Sequence, residues 1–127
     1  MTSPVYTVEP GTTGAVLAGI LAISSAEDVL RLAFDEAQDH GVAVRVMAAG
    51  LTDADEDELS GIVQRWSGKY PDVAVTLSSR CVLDPAITLT AATRTCCLAV
   101  LAHPTDAYAT ALVRAVARRS GCPVRFV

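Results

Sequence analysis

A chain of 127 residues is sized for one domain, and with 51% of them apolar it can cover both faces of a small sheet. The net charge of −4 argues against nucleic-acid binding, which normally needs a broad basic patch. No apolar run reaches the ~18 residues needed to cross a bilayer.

Residues 1–13 contain two prolines and a glycine and read as an N-terminal extension. Within it Val5-Tyr6-Thr7-Val8, bounded by Pro4 and Pro10, has the pattern of a short edge strand. The start, Met1-Thr2-Ser3-Pro4, lacks the basic region of a secretory signal, so the expected location is the cytoplasm. The domain proper is expected over residues 14–127.

Ala15–Leu21 is an apolar run of strand length, suited to a central strand covered on both faces. The first helix follows over about Ser25–His40. Ser24 and Glu27 have the spacing of a capping box, and Ala26, Val29, Leu30, Ala33, Phe34 and Ala37 form one apolar stripe. Gly41 is placed to stop that helix, and Val42–Met47 is the second strand. The second helix, Asp53–Ser67, is acidic in its first turns and carries Leu59, Ile62, Val63 and Trp66 on one side. Tyr70-Pro71-Asp72 turns into a third strand, Val73–Leu77. Asp84 as N-cap and Pro85 at the first helical position open a third helix. Cys97–Leu101 reads as the fourth strand. A fourth helix over Ala107–Ser120 is expected to bury Tyr108, Ala111, Leu112, Ala115 and Val116. Gly121 ends it, and Pro123–Val127 is the fifth strand. Alternating strands and helices imply a parallel sheet with right-handed crossovers.

Charge is divided unevenly. Residues 1–80 carry 12 acids and 5 bases, and residues 81–127 carry 2 acids and 5 bases. Such blocks can attract another protein or a second copy of this one. Cys81, Cys96, Cys97 and Cys122 show no C-x-x-C spacing. Cys96 and Cys97, as strand neighbours, point to opposite faces, so one zinc cannot easily use both. They read as reduced, buried small hydrophobes, with a redox or metal role as the alternative.

Several segments together resemble the universal stress protein family. They are Gly19-Ile20, Ala33-Phe34-Asp35-Glu36-Ala37, Gly41-Val42, Trp66 followed by Tyr70-Pro71-Asp72-Val73, and the tail Gly121-Cys122-Pro123-Val124. The resemblance covers about residues 14–127. It implies a Rossmann-like α/β fold: an open five-stranded parallel sheet in the order 3-2-1-4-5, flanked by four helices. Members of the family that bind ATP use an aspartate two residues after the first-strand glycine and a glycine-rich loop after the fourth strand. In this chain the aspartate position is Leu21, and Leu101–Ala111 contains no glycine. Glycines let backbone N–H groups approach phosphate oxygens without a Cβ in the way. The chain therefore resembles a member that has lost the ATP motif.

Open α/β sheets bind ligands at the carboxyl edge, here between the first and fourth strands. Leu21, Ser24, Ser25, His103, Thr105 and Thr110 are the candidates for a reduced cleft there, with Asp106 beside them. The competing reading makes Ser24 and Ser25 caps of the first helix and Thr105 and Asp106 caps of the fourth. No G-x-S-x-G elbow is present, so no catalytic triad is expected. His40 reads as structural, complementing the end of the first helix. Arg114, Arg118 and Arg119 lie at the far end of the fourth helix and read as dipole complement and solvated face. The last strand, with Val124 and Phe126 on one face and Arg125 on the other, should form a sheet edge open to pairing with a second copy. The expectation is a non-enzymatic domain without cofactor or metal, acting as a homodimer or through a protein partner. The alternative is a module that binds a small molecule or nucleotide in a reduced cleft.

Overall fold

The computed structural model describes residues 14–78 and 84–127. The extension with its Val5–Val8 strand, and Cys81, lie outside the described residues. Five parallel strands form one sheet: β1 Ala15–Ile20, β2 Ala43–Ala48, β3 Val75–Ser78, β4 Cys96–Leu101 and β5 Val124–Phe126. Their order is β3-β2-β1-β4-β5, as the family resemblance implies. Four helices flank the sheet: α1 Ala26–His40, α2 Asp53–Lys69, α3 Pro85–Thr93 and α4 Ala107–Arg119.

The pleat of β1 sorts the core into two layers. Val16, Ala18 and Ile20 face α1 and α2, while Ala15 and Leu17 face α3 and α4. All six residues of β1 are buried, because β2 and β4 flank it and helices cover both faces. The α1 stripe is placed as its spacing requires: Ala26, Val29, Leu30, Ala33, Phe34 and Ala37 are all fully buried. Phe34 sits at the centre of an aromatic group, its ring 6.5 Å from Trp66 and 5.5 Å from Tyr70. Gly41 ends α1 in the left-handed region at φ 67°, which a side chain would strain. On β4, Cys96 and Cys97 do point to opposite faces. Burial pushes the thiols of Cys96, Cys97 and Cys122 above their ordinary range, and all three are free.

Three local expectations are corrected. The capping box does not form. A 3-10 turn, Ile23–Ser25, precedes α1, the Ser25 hydroxyl donates to Ala22 O at 2.8 Å, and Glu27 reaches α2 instead. The buried face of α4 is Leu112, Val113 and Val116, with Tyr108 and Ala111 exposed. Tyr108, the second residue of α4, stands 67% exposed in its first turn. The third strand begins at Val75, two residues late, because Val73 N–H still closes the turn onto Tyr70 O. Gly121 directly follows Ser120, the extended C-cap of α4. Its small size also matters for packing: a Cβ would meet the Arg94 backbone at 3.0 Å. This close approach lets Gly121 N–H donate to the fully buried Thr93 hydroxyl at 2.9 Å.

Candidate functional site

The connections leave β1 toward β2 on one side and reach β4 on the other. The crevice at the carboxyl ends of these two strands is therefore the expected ligand position of an open α/β sheet. It is lined by Gly19, Leu21, Ser24, Ser25, His103, Thr105 and Asp106, among others, and encloses about 80 Å³. Ligand pockets generally span about 300–1,000 Å³, so this one lies several-fold below that range. Of the residues expected from sequence, the structure brings together Leu21, Ser24, Ser25, His103 and Thr105. Thr110 does not join them. It lies a turn inside α4 with its hydroxyl donating to Asp106 O at 2.7 Å.

Packing of Leu21 and a short loop keep the crevice small. Leu21 leaves β1 half-buried and packs onto the α3/α4 core layer. The loop from β4 to α4 is only Ala102–Asp106 and contains no glycine. Gly19, on the floor, faces the α3/α4 layer, where a Cβ would run into Leu101 Cδ2. Its small size thus serves core packing. The C-terminal segment continues past β5: Val127 N–H donates to Leu101 O at 3.0 Å, and His103 N–H donates to Val127 O at 3.3 Å. This pins His103 against Phe126, with ring centroids 5.4 Å apart and planes at 27°. The exposed His103 is thereby held by the edge strand.

Asp106 sets the electrostatics. It is the N-cap of α4, and its carboxylate accepts from Ala109 N–H at 2.7 Å. A helix amino end is where folds of this kind hold phosphate, using free N–H groups and the positive end of the dipole. Here the chain's own carboxylate takes that place and adds a negative charge. The capping role of Asp106 was legible from sequence; its consequence for the crevice was not. Ser25, by contrast, makes no side-chain cap on α1.

A second polar cluster joins α1 to α2 outside the crevice. Glu27 accepts from Trp66 Nε1 and from Arg65 Nη2, each at 2.8 Å. These bonds, Arg65's first, hold the Glu27 carboxyl below its ordinary range. Lys69 Nζ stands 4.4 Å from the centre of the Trp66 ring, a cation–π geometry. Sequence reading missed this cluster, since its partners lie on different helices. Among the described residues no group of acids, histidines and cysteines is arranged to hold a metal, and no helix is long and apolar enough to cross a membrane.

No protein-family profile and no curated protein matches the chain at the level of sequence. Solved structures do match it. A universal stress protein from Archaeoglobus fulgidus is 19% identical, with 89% of this chain and 97% of that chain covered at a TM-score of 0.64. The A. fulgidus universal stress protein in complex with dAMP is 20% identical, with 89% and 96% covered at a TM-score of 0.60. A universal stress protein in complex with cAMP is 13% identical, with 91% and 96% covered at a TM-score of 0.64. At such identities the likeness is one of architecture, spanning nearly the whole of each chain. In strand order, helix count and connectivity, this chain has the fold of the universal stress proteins.

Proposed function

We propose that the chain is a non-catalytic universal-stress-type domain that acts through protein contacts, in the first place with a second copy of itself, and that it does not bind ATP. The observation that carries this reading is the Asp106 carboxylate at the head of α4, inside a crevice of about 80 Å³. A triphosphate brought there would meet a like charge and no free glycine-loop amides. The edge strand supports the assembly. β5 pairs only with β4, so one side of its backbone is open among the described residues. Arg125 would repel its counterpart across a two-fold axis, but Glu36 holds it at 2.7 Å and neutralises it. Calorimetry should show no ATP binding tighter than ~100 μM, which corresponds to about −5.5 kcal/mol. Tighter binding overturns the reading. Light scattering should show a dimer, and a monomer at working concentration removes the self-contact.

A second reading keeps a ligand in the crevice: a nucleoside monophosphate, smaller and less charged than ATP. It is favoured by the two structural neighbours whose complexes hold dAMP and cAMP. Thermal shift with AMP, dAMP and cAMP tests it. A ligand at 100 times its dissociation constant should stabilise the fold by about 2.7 kcal/mol.

A further inference from the structure

Helix α3 differs from the other three in what it shows to solvent. The outer faces of α1, α2 and α4 carry charges such as Asp28, Glu58 and Arg114. α3 presents Ile87 and Ala91, one helical turn apart, and Ile87 is 60% exposed. Where α3 packs beside α4 they leave a groove of about 220 Å³, lined by Ile87, Thr90 and Ala91 from α3, by its C-cap Arg94, and by Ala115 and Arg119 from α4. The floor is aliphatic, and two guanidinium groups stand among its walls. Neither Arg94 nor Arg119 has an acidic partner among the described residues. Arg118 and Arg119 also complement the α4 dipole. That role explains their charge but not the exposed isoleucine in the same groove.

We propose that the α3–α4 groove docks an acidic amphipathic helix of a partner protein. Its aliphatic side chains would rest on Ile87, Ala91 and Ala115, and its carboxylates would face Arg94 and Arg119. Charge and shape select this occupant over a second copy. A symmetric contact through the groove would set arginine against arginine. The acidic helices of this chain are α1 and α2, and neither exposes a large apolar side chain to fill the groove: the exposed ones among the described residues are Leu77, Ile87, Tyr108 and Phe126. The proposal rests on the reading that this domain works by protein contacts, but not on the β5 dimer, from which the groove is separate in sequence and lining.

The test is a backbone-amide NMR titration of the full chain with a short amphipathic peptide, leucines on one face and glutamates on the other. A lysine-faced counterpart is the control. Shifts should concentrate on Ile87–Arg94 and Ala115–Arg119. Ile87→Glu and Arg94→Glu should each weaken binding at least tenfold, equivalent to about 1.4 kcal/mol, and added salt should weaken it further. Equal binding of the lysine peptide, shifts centred elsewhere, or no shift at millimolar peptide overturns the proposal. Self-association abolished by Ile87→Glu would make a second copy the occupant and also overturns it. Light scattering on the same samples separates the two ideas. A wild-type monomer that binds the peptide ends the β5 dimer and leaves the groove standing.

Discussion

Arg125 Nη1 lies 2.7 Å from Glu36 Oε2, joining the edge strand to α1 across 89 positions of sequence. Glu36 is mostly covered and Arg125 half-exposed, so the pair belongs near the surface class, worth about 0.2–1 kcal/mol. A double-mutant cycle with Glu36→Gln and Arg125→Gln, read by urea unfolding, should return a coupling in that range. In the proposed β5 dimer the effect should be larger, because Glu36→Gln would expose Arg125 to its own copy. Sedimentation should find Glu36→Gln less dimeric than wild type, and an unchanged dimer means that Arg125 is remote from the interface.

Phe34→Ala should cost about 3–5 kcal/mol. The ring is fully buried and holds Trp66 and Tyr70 around it, so truncation leaves a cavity between α1, α2 and the sheet. That is a large fraction of the about 5–15 kcal/mol typical of a folded domain. A cooperative urea transition displaced by less than about 1 kcal/mol would show that the site collapses to fill the space.

Stability should fall on acidification partly through Glu27. Its folded carboxyl is held below the ordinary value of 4.5 by hydrogen bonds from Arg65 and Trp66. A lowered folded pKa contributes stability above the unfolded pKa, and that contribution is lost as pH falls through the folded one. Glu27→Gln should therefore be less stable than wild type at neutral pH. The gap should close as pH drops below the carboxylate range. Parallel curves for the two proteins would show that the bonds do not favour the ionised form.

Asp106→Ala should destabilise by about 0.5–2 kcal/mol, through loss of the α4 cap. Asp106→Ser keeps a capping oxygen and removes the charge, so it should cost little. If the carboxylate is what keeps phosphate away, Asp106→Ser should bind AMP more tightly than wild type by calorimetry. Equal weakness in both would assign the exclusion to crevice size.

Thr93→Val should cost about 1–3 kcal/mol, because it leaves the Gly121 N–H without its acceptor in a tight backbone approach. Thr93→Ser retains the hydroxyl and should recover the larger part. Thermal unfolding of the two variants decides between the hydrogen bond and the lost methyl.

What could be read in the sequence follows the physics of each signal. The α1 stripe was legible because six apolar positions recur at helical spacing between charged ones, and the sheet buries all of them. Helix α4 was harder. It is alanine-rich, so adjacent candidate stripes differ little in hydrophobicity, and the true one includes Val113 and excludes Ala111. The glycine-free loop and Leu21 were visible as residues, and both line the crevice. Its narrowness was not visible, because it depends on distant packing of Leu21 and Leu101. Glu27 was read as a helix cap from local spacing, whereas its partners are 38 and 39 positions away. No local rule weighs a nearby backbone amide against a remote indole.

The one tryptophan gives the protein a built-in optical reporter. Its indole N–H rests on Glu27 and its ring packs by Phe34, so its emission should be blue-shifted and should respond when α1 and α2 part. The α3/α4 layer contains no tryptophan and should be dark to that signal. Comparing fluorescence with far-ultraviolet circular dichroism during unfolding would therefore show whether the two faces of the sheet let go together. Coincident transitions would mean one cooperative unit, and an early loss of ellipticity with emission unchanged would identify the α3/α4 face as the one that opens first.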